Sequence, residues 1–153
     1  MSDIENKIKK LGFILPKLPI PKYSYIYGRI VNNLVFVSGQ TPHIDGNLLY
    51  KGKVDSDINI EDSCKAARLT VVNCIAELKS IVNDLERIKR IIQLSGFVAS
   101  SKGFKDQPKV INSASELLIK IWGEDGEHTR KAIGVYELPG GAPLEIELIA
   151  EIY

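Results

Sequence analysis

Every second residue of the stretch LEIELIAEIY at 144–153 is apolar, and three of the five residues between them are glutamates. Because successive side chains of a β-strand point to opposite faces, this alternation predicts a strand with one face against a hydrophobic core. The core-facing set is apolar throughout: Leu144, Ile146, Leu148, Ala150 and Ile152. The opposite set is mixed: Glu145, Glu147, Ile149, Glu151 and Tyr153. The chain must therefore supply a layer that covers one face of a sheet.

Two segments with helical periodicity supply that layer. The first runs from Ile60 to about Leu85, and Asn59 followed three residues later by Asp62 predicts its N-terminal cap. The second runs from about Gln107 to Trp122, with Pro108 in its first turn, where a missing N–H costs little. Both apolar stripes indicate core packing.

Strand-like segments surround the two helices. Tyr25–Val31 and Leu34–Ser38 flank an Asn-Asn turn and predict a hairpin, and Ile88–Ala99 predicts the next strand. Residues 131–137 and 144–153 flank a Pro-Gly-Gly turn and predict a closing hairpin. The order ββ-α-β-α-ββ predicts an α+β two-layer sandwich, a mixed sheet with two helices on one face. Since nothing else covers the other face, we expect a second subunit there, with Glu145 or Glu147 near an interface cleft.

Composition limits the class of protein. The 153 residues fit one domain, and residues 1–22, with a short amphipathic helix and three prolines, are expected to form an N-terminal extension packed on it. Neither a signal peptide nor a membrane span is predicted, so we expect a cytoplasmic protein. The net charge of +1 without a basic block argues against nucleic-acid binding. Cys64 and Cys74, ten residues apart on one helix, are too distant for a disulfide and are expected in the core.

Catalytic motifs do not decide the function. No nucleophile elbow, phosphate-binding loop, dinucleotide fingerprint or metal-ligand spacing is present, and His43 and His128 are expected to be solvated loop residues. Arg130 begins a strand after a glycine-bounded loop, where it is either a surface charge or a guanidinium that binds a carboxylate through two parallel hydrogen bonds. Glu145, across the turn, has the same two interpretations, and Tyr25 alone is an ordinary strand aromatic.

Three groups of residues resemble the YjgF/Rid family, the reactive intermediate deaminases. They are LVFVSGQTP at 34–42, the spacing of Gly96-Phe97-Val98 with Phe104, and RKAIGVYELPGGAPLEIELIAEI at 130–152. The combination of S-G-Q with R-x-x-x-x-V-x-x-L-P-x-x-x-x-x-E-I-E is specific, and the resemblance runs from about Tyr23 to Tyr153. The segment between Phe104 and Arg130 is longer than in the best-known deaminases, which is typical of a divergent branch.

The resemblance implies a chorismate-mutase-like fold and a homotrimer with three sites between neighbouring subunits. It implies that Arg130 holds the substrate carboxylate, that Glu145 holds the hydrolytic water, and that Tyr25 comes from the edge of the site. It also implies that Ser38, Gly39 and Ala132 line the substrate pocket. Ala132 stands where the family often has cysteine or serine, so its side chain cannot contribute a polar contact.

The function that the resemblance implies is hydrolysis of reactive 2-imino acids, such as 2-iminopropanoate, to 2-oxo acids and ammonia. The partner is then a small 2-imino or 2-oxo acid, and neither a metal nor an organic cofactor is required. Two other functions stay open: a trimeric module that binds small carboxylates without catalysis, and, as some relatives have been described, an endoribonuclease.

Overall fold

The computed structural model describes residues 2–153. Its helices are α1 (Asp3–Lys10), α2 (Ile60–Val82) and α3 (Gln107–Trp122). Its strands are β1 (Gly28–Val31), β2 (Leu34–Val37), β3 (His43–Ile44), β4 (Asn47–Leu48), β5 (Ile88–Ala99), β6 (Thr129–Val135) and β7 (Leu144–Ile152). Short 3-10 turns lie at Leu85–Arg87, Gly123–Gly126 and Pro139–Gly141.

A five-stranded mixed sheet forms one layer, and α2 and α3 form the other. The strand order is β1-β2-β7-β5-β6, with β5 and β6 parallel and the remaining neighbours antiparallel. The small β3–β4 hairpin stands apart from this sheet. The predicted α+β class, with two helices on one face of a mixed sheet, is confirmed. Within residues 2–153 no helix is long and apolar enough to cross a membrane.

Local sequence accounts for the ends of several elements. Asn59 Oδ1 accepts a hydrogen bond from the Asp62 N–H at 2.8 Å, which confirms the predicted cap of α2. Asn32 takes a positive φ of 55° in the β1–β2 turn, a conformation that asparagine tolerates better than most residues. The predicted hairpin therefore forms, with Val31 opposite Leu34.

The N-terminal segment begins with helix α1, which packs against α3 and the Leu85–Arg87 turn. A capping box starts the helix, because Ser2 Oγ accepts from the Glu5 N–H while the Glu5 carboxylate accepts from the Ser2 N–H. Ile4 and Ile8 join the main core, whereas Leu11, just after the helix, is 37% exposed.

The alternation along β7 is confirmed. Each member of its apolar set is at most 6% exposed and packs under the helices: Leu144, Ile146, Leu148, Ala150 and Ile152. No layer of residues 2–153 covers the other face of the sheet, and Val31, Phe36 and Ile133 are 50%, 41% and 45% exposed there. We call this surface the open face.

The predicted closing hairpin is wrong. β6 and β7 are not neighbours, because β5 lies between them and pairs with both. The Pro139–Gly141 turn, with Gly140 and Gly141 at positive φ, reverses the chain. It does not determine which strands β7, the strand after the turn, pairs with. β7 buries every second side chain and takes a central position, whereas β6 buries none of its residues and is an edge strand.

Both cysteines are free. Cys74 is buried, as expected, and its thiol donates to the Ile146 carbonyl with a sulfur–oxygen distance of 3.2 Å. Cys64 was expected in the core but is partly exposed, because it lies near the start of α2 beside Lys109 of α3.

Candidate functional site

Arg130 and Glu145 lie on opposite faces of the sheet, which corrects the expectation that they oppose each other across a turn. Arg130 is in register with the buried, helix-facing residues Leu94 and Leu148. Glu145 is in register with Phe97, which pairs with Ile133 of the open face. Ile133, which is in register with Glu145, comes three residues after Arg130. The side chains of Arg130 and Glu145 are therefore separated by about 10 Å along the strands and about 10 Å across them.

The carboxyl of Glu145 lies against the backbone of Gly39. A Cβ built on Gly39 would lie 2.5 Å from Glu145 Oε1, so the close approach requires glycine. Gln40 fixes this approach, since its backbone N–H and C=O both bond to Ile146, at 2.8 and 2.9 Å. Burial raises the pKa of the Glu145 carboxyl, and the neighbouring Glu147 carboxylate raises it further. A raised pKa makes the carboxylate a stronger proton acceptor than an ordinary glutamate, which suits it to accept and return a proton.

Gly39→Ala should lower by about tenfold any turnover that depends on the Glu145 carboxyl, with little loss of fold stability. The added methyl must push the Glu145 carboxyl aside, since the competing atoms belong to a side chain that can rotate. Turnover and thermal unfolding measured on the same samples check this prediction. An unchanged turnover number in a folded variant would mean that the present position of the Glu145 carboxyl is not needed.

Ser38 and Tyr25 belong to the same end of the sheet as Gly39. Ser38 Oγ–H donates to the Ile26 carbonyl at 2.6 Å, and the Ser38 N–H donates to the Tyr27 carbonyl at 2.8 Å. These bonds hold the segment that contains Tyr25 alongside the end of β2, and the Tyr25 side chain is 49% exposed. We call Tyr25, Ser38, Gly39 and Glu145 the glutamate group.

The guanidinium of Arg130 is held by α3. Its Nη1 donates to Asn112 Oδ1 at 3.1 Å and to Ser115 Oγ at 3.3 Å. Both Nη1 protons are thereby used, while Nε and Nη2 have no hydrogen-bond partner among residues 2–153. These two nitrogens form the edge that binds a carboxylate through parallel hydrogen bonds.

An open groove of about 480 Å³ lies at this guanidinium. Its lining combines the cations of Arg130 and Lys109 with a single carboxylate, Glu116, which accepts from Asn112 Nδ2 at 3.1 Å. The groove is therefore suited to a small anion. Ala132 follows Arg130 on the same face and packs against the core beside Gly96, so it offers a backbone and a methyl group only. We call Arg130, Ala132, Asn112 and Ser115 the arginine group.

His128 is not the solvated histidine that its loop position predicted. The ring is about half-buried, with Nε2 2.9 Å from Ser115 Oγ and Nδ1 2.6 Å from the Gly126 carbonyl oxygen. Burial lowers the pKa of the His128 imidazole, and the Arg130 charge lowers it further against the opposing effect of the Gly126 hydrogen bond. His128 and Arg130 are two residues apart, and residues with this spacing in an extended segment face the same side. This spacing was the sign in the sequence that both side chains face α3.

A second carboxyl, which the sequence analysis missed, lies on α2 next to the segment that contains Ser38 and Gly39. Glu77 of α2 is 0% exposed, and its Oε1 accepts from Gln40 Nε2 at 2.7 Å, while Oε2 has no partner among the described residues. Burial raises the pKa of Glu77 to about 8 against the opposing effect of the Gln40 hydrogen bond. Glu77 is therefore mostly protonated at pH 7, and it anchors the residue that follows Gly39.

Comparison with known proteins places these features in context. Residues 5–152 match the sequence model of a family described as "YjgF/chorismate mutase-like, putative endoribonuclease". The chain is 32% identical over 150 residues to Protein TCP17 of Trypanosoma cruzi. The aligned residues cover 97% of this chain and 94% of that protein.

Two solved structures have the same fold over nearly the whole chain. The Agrobacterium tumefaciens protein Atu1372, described as of unknown function, is 42% identical with a TM-score of 0.90, covering 98% of this chain and 92% of its own. A Shewanella oneidensis protein with the same endoribonuclease description is 32% identical with a TM-score of 0.94, covering 99% and 100%. Both similarities include the segment between β5 and β6, on which the arginine group depends.

Proposed function

Because this chain belongs to the YjgF/chorismate mutase-like family, we propose that it hydrolyses small 2-imino acids, such as 2-iminopropanoate, to 2-oxo acids and ammonia. The observation that carries the proposal is the unused Nε/Nη2 edge of Arg130, a residue that lines a groove suited to a small anion. A 2-imino acid needs a fixed cation for its carboxylate and a positioned water for its C=N carbon. Holding the substrate by its carboxylate turns a diffusional encounter into a positioned one.

Glu145 is proposed to position the hydrolytic water and to accept a proton from it. Its carboxylate takes a proton as the water oxygen bonds to the imine carbon and the C=N π electrons move to nitrogen. That proton passes to the nitrogen, which gives the neutral carbinolamine. As the C–N bond then breaks, the hydroxyl proton is transferred to the departing nitrogen and the C=O bond forms, so that ammonia and the 2-oxo acid remain. The raised pKa of Glu145 brings its protonation nearer to neutral pH, and a positioned acid–base group typically contributes 10²–10⁴-fold. Tyr25, Ser38 and Gly39 are proposed to line the pocket with Ala132.

The two halves of this machinery come from different copies of the chain in our proposal. The glutamate group and the arginine group are apart within one chain, so a complete site needs the arginine edge of one copy beside the glutamate group of another. Such a contact joins two different surfaces and closes into a ring when the rotation permits. We propose a homotrimer, with the open faces turned toward its centre.

Ile133→Asp should break this assembly. Ile133 is 45% exposed on the edge strand of the open face, and a carboxylate buried in an apolar contact is strongly unfavourable. We expect light scattering to give three chains per particle for the wild type and one for the variant, with turnover lost although the fold persists. Ile119→Asp, at a similar 40% exposure on α3, is the matched control and should stay trimeric. A wild-type protein that is monomeric yet active would contradict the shared site.

The function is tested by generating 2-iminopropanoate with a serine dehydratase and following pyruvate release with and without this protein. We expect a clear acceleration that Glu145→Gln lowers by at least tenfold. Binding of pyruvate without any acceleration would favour the non-catalytic carboxylate-binding module instead. Incubation with single-stranded RNA tests the activity named for the Shewanella protein, and cleavage that survives in Arg130→Ala without any imine hydrolysis would overturn the proposal.

A further inference from the structure

The hydrogen bonds around Arg130 have directions that can be deduced. A guanidinium has only donors, so Ser115 Oγ accepts from Arg130 Nη1. The Gly126 carbonyl oxygen can only accept, so His128 Nδ1, 2.6 Å away, carries a ring proton and donates to it. In the neutral imidazole Nε2 is then an unprotonated acceptor, and the Ser115 hydroxyl donates to it at 2.9 Å. The chain runs from Arg130 through Ser115 and His128 to Gly126.

This chain works in one protonation state of the imidazole. A second proton on Nε2 would make both ring nitrogens donors. Ser115 Oγ would then have to accept from both His128 Nε2 and Arg130 Nη1, and its own proton would lose its acceptor. Ser115 is 7% exposed, so its displaced hydroxyl proton would have little access to water. The imidazolium would also add a second positive charge close to the guanidinium. Neutral His128 keeps Nη1 tied to α3 and leaves Nε and Nη2 for a ligand.

We propose that neutral His128, acting through Ser115, is a positioning residue that aims the Nε/Nη2 edge of Arg130 at the substrate carboxylate. His128 does not touch the substrate, and its protonation releases the guanidinium from the orientation that binds. The proposal rests on the proposed function, since it assigns a role at the same carboxylate site. It gives a role to a half-buried histidine that imine hydrolysis does not itself require.

The charges around the ring support a neutral state. From its own strand, Arg130 faces the imidazole and disfavours a second positive charge. On α3, the Glu116 carboxylate is engaged by Asn112, and on β5 Lys89 and Arg90 are paired with Glu151. The 3-10 turn after α3 carries two exposed carboxylates, Glu124 and Asp125, and the exposed Glu127 follows it. The remaining charged residues on these elements are Lys131 of β6 and Lys109 and Lys120 of α3. Among the described residues, Arg130 is the charged group that shifts the pKa of His128.

The test measures pyruvate binding by calorimetry between pH 5 and pH 8. Coulomb attraction alone would make an imidazolium strengthen the binding of an anion as the pH falls. The positioning role requires the opposite, a wild-type affinity that weakens by about tenfold as His128 protonates. Ser115→Ala should be about tenfold weaker than the wild type at pH 7.5 and equal to it at pH 5. Since this variant keeps Glu145, the ratio of the two proteins isolates the His128 contribution from titration of that carboxyl.

His128→Gln serves as the conservative variant. Its side-chain oxygen can accept from Ser115 but does not titrate, so the affinity at pH 7.5 should stay within about threefold of the wild type. The ratio of the His128→Gln affinity to the Ser115→Ala affinity should hardly change between pH 7.5 and pH 5. A wild-type affinity that rises toward pH 5, or a Ser115→Ala variant that matches the wild type at pH 7.5, would overturn the proposal.

Nitrogen NMR of the imidazole separates this proposal from the proposed function. At pH 7.5 we expect the Nδ1–H tautomer of His128 with no ligand present, and we expect Arg130→Ala to raise the pKa of the ring. If the wild type binds no 2-oxo acid and hydrolyses no imine, the proposed function fails, and the NMR result alone decides whether His128 and Arg130 are coupled. An Nε2–H tautomer, or a pKa unchanged by Arg130→Ala, would remove the coupling whatever the protein binds.

Discussion

Arg130→Lys should lower kcat/KM for 2-iminopropanoate by about 10²–10³-fold. The guanidinium offers two parallel donors while Nη1 stays tied to α3, and an ammonium cannot do both. A hydrogen bond to a charged group contributes about 1.5–3 kcal/mol, so the loss of one or two gives an effect of this size. Steady-state kinetics with the dehydratase-coupled assay measure it.

Lys131→Ala is the matched control for Arg130→Lys. Lys131 is the next residue on β6 but is in register with Ser95 on the open face, so it cannot reach the groove at Arg130. We expect kcat/KM within about threefold of the wild type, provided that the oligomer persists. A loss of kcat/KM in Lys131→Ala together with an unchanged kcat/KM in Arg130→Lys, which keeps the positive charge, would indicate that net charge on β6, and not bidentate binding, supports activity.

Glu77→Gln should stabilise the protein by roughly 2–4 kcal/mol at pH 8. In the unfolded chain the Glu77 pKa has its ordinary value of 4.5, whereas burial raises it to about 8 in the fold. Between these values the native state holds a proton that the unfolded state has released, so the free energy of unfolding falls as the pH rises from about 4.5 to 8. Glutamine has no such penalty and can still accept from Gln40.

The gain in Glu77→Gln should therefore be near zero at pH 4.5 and increase toward pH 8. Urea unfolding at several pH values measures it, because the midpoint shift at constant slope reports the stability difference. Glu124→Gln, at an exposed position of the Gly123–Gly126 turn, is the control and should change little at any pH. A Glu77→Gln gain that is the same at pH 5 and pH 8 would show that Glu77 does not titrate as burial demands.

Local patterns predicted the elements well because each has a physical cause within a few residues. Asn59 caps α2 through a bond to Asp62, and the periods of 3.6 and 2 residues gave α3 and β7 their bounds to within one residue. The pairing of β6 with β5 was missed because a turn such as Pro139–Gly141 specifies a reversal, not a partner. Strand order depends on burial across the whole sheet, which no local window contains.

The site was predicted less completely for a related reason. Resemblance identified Arg130 and Glu145 as candidates, but only the sheet register puts them on opposite faces. Asn112 and Ser115 are ordinary polar residues in a helix, and their role follows from the position of α3 beside β6. Glu77 falls within an apolar stripe, where its burial and its bond to Gln40 depend on the loop after β2. Such contacts join segments that are far apart in sequence.

The central position of β7 has a consequence for biosynthesis. β1–β2 and β5–β6 can each pair soon after they emerge from the ribosome, but β7 alone joins the two pairs, and it follows both of them in the sequence. Until β7 has been made, Val35 and Val37 of β2 and Leu94 and Val98 of β5 lack the strand that lies between them in the finished sheet. We expect the nascent chain to remain dependent on chaperones until β7 has been released, as exposed strand edges invite aggregation.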